Sequence, residues 1–347
     1  MEAKLFETAG ENQVRCRLCA HNCLIKDGRR GLCNVRENEG GRLFSRVADR
    51  VITRHVDPIE KKPLFHFFPA TRAYSLGAAG CNFRCRFCQN ADIAQMPAGP
   101  RGRIAGRPIP GRRMTPEAIV QEAVSAGCKT IAYTYTEPTV FFELALETSR
   151  LAQQQGLRNV FVTNGYMSAE ALEMICPYLD AANVDVKAFS EDFYKQQCSA
   201  RLAPVKERLQ HMKKLDIWVE VTTLVIPGLN DDPGELRALA EFIAKELGTE
   251  TPWHVSRFHP CHRMTDRPAT PVATLRKARE IGVRAGLKYV YTGNVPGEPS
   301  AWTCCWHCGR PLIMRRGFAV SENRLQGSRC PDCGVFIHGV GMGGAAL

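Results

Sequence analysis

No stretch of the 347-residue chain reaches eighteen consecutive apolar residues, which argues against a transmembrane helix. The start, Met-Glu-Ala-Lys-Leu-Phe-Glu, lacks the basic and apolar segments of a secretory signal, so a reducing, cytoplasmic setting is expected and a disulfide framework is not. The Gly-rich end from Gly339 to Leu347 is too short and broken to act as an anchor. What the chain holds in excess is cysteine, 16 residues in all. In a reducing compartment, thiols kept in sets usually bind metal. The formal charge of +11 invites a nucleic-acid partner, yet it counts thiols as neutral. Two all-cysteine zinc sites and one three-thiolate iron-sulfur cluster would bring it to about +6. Part of the remainder lies between Pro97 and Arg113, where Arg101, Arg103, Arg107, Arg112 and Arg113 alternate with Gly and Pro. A solvated loop is the favoured reading of that stretch, and a lid recruiting an anionic substrate or partner is the functional alternative.

Cys81, Cys85 and Cys88 follow a strand-like segment, Ala73 to Gly77, as CxxxCxxC. Three thiolates hold three irons of a [4Fe-4S] cube and leave the fourth iron open to an outside ligand. An α-amino acid chelating that iron places a sulfonium where one electron can cleave it to a carbon radical. Structural zinc would more often use paired CxxC knuckles. Phe87, beside the third cysteine, is positioned to pack on an adenine ring.

From Lys129 to Tyr291 short β-branched or aromatic runs alternate with helix-like segments, the pattern of repeated βα units. Expected strands are Thr130 to Tyr133, Asn159 to Thr163, Asn183 to Lys187, Trp218 to Val225, Trp253 to Phe258 and Lys288 to Tyr291. Expected helices are Pro116 to Ala126, Thr139 to Gln155, Ala169 to Leu179, Pro204 to Leu215, Pro233 to Leu247 and Pro271 to Ala285, several with Pro near the start or Gly past the end. Such barrels carry their chemistry at the carboxyl ends of the strands. The segments assigned there are polar, with Glu137, Asn164, Gly165, Asp185, Lys187, Glu220 and His259 among them. Glu137, Lys187 and Asn164 suit the ammonium, carboxylate and hydroxyls of an amino-acid-bearing nucleoside.

Two further cysteine sets flank the barrel. Cys16, Cys19, Cys23 and Cys33 form a loop-like four-thiolate site for zinc or a second iron-sulfur cluster. Cys305, Cys308, Cys330 and Cys333 form two CxxC-Gly knuckles, a zinc-ribbon signal that a rubredoxin-like iron would equally satisfy, with Cys304 as a competing ligand. Cys128, Cys176 and Cys198 read as core residues, and Cys261 as a residue near the active-site rim. The expected organisation is a four-cysteine module over residues 1–66, a partial (β/α)6-type barrel over 67–295 and a zinc-ribbon or rubredoxin-like module over 296–347.

The chain resembles radical S-adenosylmethionine (SAM) proteins of the pyruvate formate-lyase activating-enzyme-like group, and more narrowly the radical SAM enzyme of the AmmeMemoRadiSam system. The resemblance rests on the four-cysteine head, Asp57 to Pro63 with His66, Gly80 to Asn90, Tyr133 to Pro138, Val162 to Gly165, Asn183 to Lys187, Leu224 to Asp231, Trp253 to Pro260, Val290 to Val295 and the paired CxxC tail. It implies a radical SAM barrel, a [4Fe-4S] cluster on Cys81, Cys85 and Cys88, and SAM chelating the fourth iron. It implies that Glu137 meets the methionine ammonium, although Tyr135 and Thr136 replace the two glycines of the group's Gly-Gly-Glu-Pro. It implies that Lys187 of Asp185-x-Lys187 reaches the carboxylate, that Asn164 and Gly165 line the ribose side, and that His259 lies near the adenosine. A flavodoxin- or ferredoxin-like donor, a Memo-like partner protein and a small-molecule or protein substrate are implied as well. The alternatives are a glycyl-radical activase acting on a protein backbone and a non-catalytic Fe-S/zinc protein for RNA binding or electron transfer.

Overall fold

The computed structural model describes residues 1–95, 108–295, 297 and 301–343. Seven parallel strands run in strict chain order across one sheet: Arg72–Gly77, Thr130–Tyr133, Arg158–Thr163, Ala181–Asp185, Trp218–Val225, Trp253–Arg257 and Val290–Gly293. Six helical crossovers connect them, so the core is six βα units and a closing strand. Strands covered on both faces need nearly continuous apolar sequence, and Thr130–Tyr133 is buried at every position. The helix starts follow local chemistry. Thr115 accepts from Ala118 N at 3.3 Å ahead of Pro116, Ser168 from Ala171 N at 3.1 Å, and Asp232 from Glu235 N at 2.9 Å ahead of Pro233.

The element boundaries differ from the sequence expectations in instructive ways. The expected helix from Thr139 opens as a 3₁₀ turn over Pro138–Phe141, capped by the Glu137 carboxylate on Thr139 N, and becomes α-helical at Phe142–Gln154. The strand expected to reach Lys187 ends at Asp185, which frees Lys187 from the sheet. An eighth strand, Thr53–Pro58, pairs antiparallel with Arg72–Gly77 at the sheet edge. Its Thr-Arg-His-Val-Asp-Pro sequence has no apolar alternation, as suits an edge exposed to water. Ahead of it, Phe6–Thr8, Gln13–Cys16 and Leu24–Lys26 form a small antiparallel sheet, and Arg36–Glu39 pairs with Arg42–Ser45.

The amino end of the barrel is plugged. Segment 59–70 enters it, and the tail strands Thr303–Cys304, Pro311–Arg316 and Ala319–Asn323 close over the plug with a small core built from Phe65, Tyr289, Tyr291, Leu312, Ile313 and Ile337. Glu220, wholly buried, accepts from Phe65 N, His66 N and Trp218 Nε1 at 3.0, 2.8 and 3.2 Å and pairs with His254 Nε2 at 2.7 Å. His66 bonds the Tyr291 hydroxyl at 2.5 Å, and Arg315 donates to Phe65 O and Thr303 Oγ1 at 2.9 Å each. Glu220, expected among the polar residues at the reactive end, stands on the third residue of its strand and serves the plug.

Candidate functional site

The cysteine triplet follows directly on the carboxyl end of Arg72–Gly77. Gly80 adopts φ +98°, and a Cβ there would stand 2.6 Å from Val35 Cγ1 and 2.8 Å from Cys33 O, so only glycine lets the loop press against the head. The loop is tied down on several sides. Gly80 N donates to Ile93 O at 2.9 Å, Arg84 N and Arg86 N donate to Cys198 O and Gln197 O at 2.9 Å, and Gln95 Nε2 donates to Cys85 O at 2.7 Å. Phe83 packs on Tyr166 with ring centroids 5.1 Å apart. Phe87 turns into the core against Phe193 at 5.8 Å.

Around this loop stand the residues singled out from sequence. Glu137 Oε1 accepts from Thr139 N, Thr139 Oγ1 and Thr163 Oγ1 at 3.0, 2.6 and 2.7 Å, while Oε2 takes a single bond, 2.8 Å from Asn164 N. Burial raises its pKa against the pull of these donors. Asn164 Nδ2 donates to Asn82 Oδ1 at 2.7 Å and lies 3.9 Å from Cys81 Sγ. Gly165, at φ +69°, leaves no room for a Cβ beside Val184 Cγ1 at 2.9 Å. Lys187 Nζ donates to Asp185 Oδ2 at 2.7 Å. Burial alone would lower the Lys187 pKa, but the Asp185 and Cys85 charges turn the shift upward, so the ammonium persists beside the triplet. His259 stands exposed on the rim after Trp253–Arg257. Cys261 donates to Phe87 O at 3.3 Å, which ties the rim to the cluster loop. Cys198 does sit in the core, yet a hydrogen bond with it, followed by burial, pushes the Cys85 thiol well above its ordinary value.

Several contacts escaped the sequence reading. Asn82 links Asn164 to the loop, and Thr139 and Thr163 saturate one oxygen of Glu137. Tyr135, at φ +65°, donates its hydroxyl to Asp57 Oδ2 at 2.5 Å, and Asp57 also takes Lys62 Nζ at 2.7 Å. Burial lowers the Lys62 pKa to about 8 despite that partner. The order Asp57…Lys62 was visible as a motif, but nothing in the chain places it under Tyr135, 78 residues from Asp57. Arg101, Arg103 and Arg107 lie outside the described residues, whereas Arg112 and Arg113 form a short exposed strand beside Arg50 and Val51.

The donor sets fit different groups. Four thiolates on one zinc at 2.3 Å stand about 3.8 Å apart. Cys305–Cys333 and Cys308–Cys330 are 3.6 and 3.8 Å apart, and the four ligand atoms lie within 4.8 Å of one another. Gly309 and Gly334, at φ +76° and +74°, donate to Cys305 O and Cys330 O at 2.9 Å, which completes two matched knuckles around a single ion. Cys304 stays outside the set. Among the described residues this is the sole group of three or more His, Cys, Asp or Glu so gathered. The three triplet sulfurs do not all lie within 4.8 Å of one another.

Fold and site together define an α/β protein with three cysteines gathered on one loop at the carboxyl ends of parallel strands. The Radical SAM superfamily model matches residues 77–243. An uncharacterised protein of Methanocaldococcus jannaschii is 47% identical over 97% of this chain and 98% of its own length. A pyruvate formate-lyase-activating enzyme of Clostridium pasteurianum is 23% identical over 47% of this chain and 66% of that one, and a GTP 3′,8-cyclase of Aquifex aeolicus is 29% identical over 48% and 51%. The chain belongs to the radical SAM superfamily and is activating-enzyme-like.

Proposed function

We propose that this protein is a radical SAM enzyme whose cluster is held by Cys81, Cys85 and Cys88. When bound, the reduced cluster and SAM supply methionine and a 5′-deoxyadenosyl radical that takes hydrogen from a substrate. The observation carrying the reading is the convergence of the triplet with Glu137, Asn164 and the Asp185–Lys187 pair at one end of the sheet. Glu137 Oε2, with a single protein donor, is the acceptor for the methionine ammonium. Lys187 holds a positive charge for the carboxylate, and Asn164 with Gly165 borders the ribose. Phe87, packed on Phe193, walls the adenine side from within the core, with His259 on the rim segment that Cys261 ties to Phe87. Residues 1–66 and 296–347 act as metal-bearing flanks to the 67–295 barrel, the tail taking zinc or iron. A flavodoxin- or ferredoxin-like protein supplies the electron. The Memo-like partner rests on family resemblance.

The test is anaerobic reconstitution of the full chain with dithionite and SAM, followed by quantification of 5′-deoxyadenosine for native protein beside Cys85→Ala. Product from native protein alone is expected. Its absence from a verified, reduced four-iron cluster would transfer the assignment to electron transfer or binding.

A further inference from the structure

The head carries its own site. Cys16, at the end of Gln13–Cys16, joins Cys19, Cys23 and Cys33 around one pocket that also takes in Arg36 and Asn82. Leu18, Ile25 and Val140 also line this small pocket. In contrast to the tail, no three of these sulfurs lie within 4.8 Å of one another, so they do not converge on a tetrahedral ion.

Two residues of this lining carry a buried donor without a partner. Asn82 Nδ2 and Arg36 Nε make no hydrogen bond, although their residues are 2% and 1% exposed. An orphaned buried donor costs about 1–3 kcal/mol, which makes two of them in one pocket a sign of a missing acceptor. Arg36 Nη1 already donates to Cys16 Sγ at 3.5 Å, and Nη2 pairs with Glu143. Four cysteines around one pocket whose lining also carries two unpartnered N–H donors match a cluster whose sulfides accept hydrogen bonds and whose net charge is negative.

We propose that the head holds a second [4Fe-4S] cluster, ligated by Cys16, Cys19, Cys23 and Cys33, with Arg36 and Asn82 donating to its sulfurs. Asn82 is the chain neighbour of Cys81 and bonds Asn164 through its other amide atom, so one residue borders both cluster sites. The assignment goes beyond the SAM-cleaving function and stands on the head's own geometry.

Acid-labile sulfide decides the matter, because a single zinc or iron in the tail contributes none. The anaerobically reconstituted native chain should contain about eight sulfides, and Cys81→Ala/Cys85→Ala/Cys88→Ala about four, with an electron paramagnetic resonance signal that SAM leaves unchanged. The converse variant, Cys19→Ala/Cys33→Ala, should keep about four sulfides and a signal that SAM perturbs. About four sulfides in native protein together with two zinc ions per chain, or none in the triple variant, would overturn the proposal. Native protein with about eight sulfides and no 5′-deoxyadenosine would sink the SAM-cleaving function while leaving the head cluster standing.

Discussion

The two ends of the barrel are both rich in polar side chains, yet they spend them differently. At the amino end Glu220, His66, His254, Tyr291 and Arg315 bond one another and the plug backbone. At the carboxyl end Glu137 Oε2 and the Lys187 ammonium keep capacity in hand beside three thiols. A polar residue on a barrel strand is therefore a guide to chemistry only once its end of the strand is known. The amino-end network, bonded mainly to itself and the plug, serves the fold, and the carboxyl-end set is the one we propose as the binding site.

That contrast can be broken from either side. The largest effect belongs to Cys85→Ala at the carboxyl end, which should reduce 5′-deoxyadenosine to assay background while urea unfolding remains cooperative. At the amino end Glu220→Leu should cost about 3–5 kcal/mol in denaturant unfolding, since it strands two buried amides and a histidine. A loss below about 1 kcal/mol would show that the network is dispensable.

Acid should act on the same plug. Burial, with Glu220 only partly opposing it, lowers the His66 pKa to about 4. The unfolded chain then binds the proton more readily than the folded one between pH 6.5 and about 4. Stability should therefore fall by about 3 kcal/mol as pH drops through that window, and His66→Gln should remove about one proton from the slope. An unchanged slope in that variant would exclude His66 as the sensor.

Smaller effects sharpen the comparison. Lys187→Met should weaken SAM binding roughly ten- to a hundredfold, the worth of one hydrogen bond to a charged group, with little change in unfolding. Equilibrium dialysis with reconstituted protein reads this directly. Arg150→Ala, which removes an exposed ion pair to Glu147, should shift stability by less than about 0.5 kcal/mol and serves as the baseline for both ends.

Much of this architecture was legible from the chain. Trp218–Val225 and Thr130–Tyr133 match their expected limits because strands buried on both faces are rich in β-branched and aromatic residues. The tail knuckles were equally plain, since CxxC-Gly confines both thiols and the turn within a few residues. The edge strand Thr53–Pro58 carries no such period, and it forms only because Arg72–Gly77 offers it an edge. Glu220 shows the opposite failure, a residue whose type suggested chemistry and whose depth in its strand assigned it to the plug.

Local spacing thus determined the three cysteine sets, the βα alternation and the superfamily, because ligand geometry and hydrophobic period act over short stretches of chain. Tertiary structure alone decided that Asn82, beside the triplet, also lines the head pocket, that Glu137 retains one lightly bonded oxygen, and that the head thiols surround a pocket while the tail thiols meet at a point. Those properties depend on distances between residues far apart in sequence, and such distances exist only after the chain has packed.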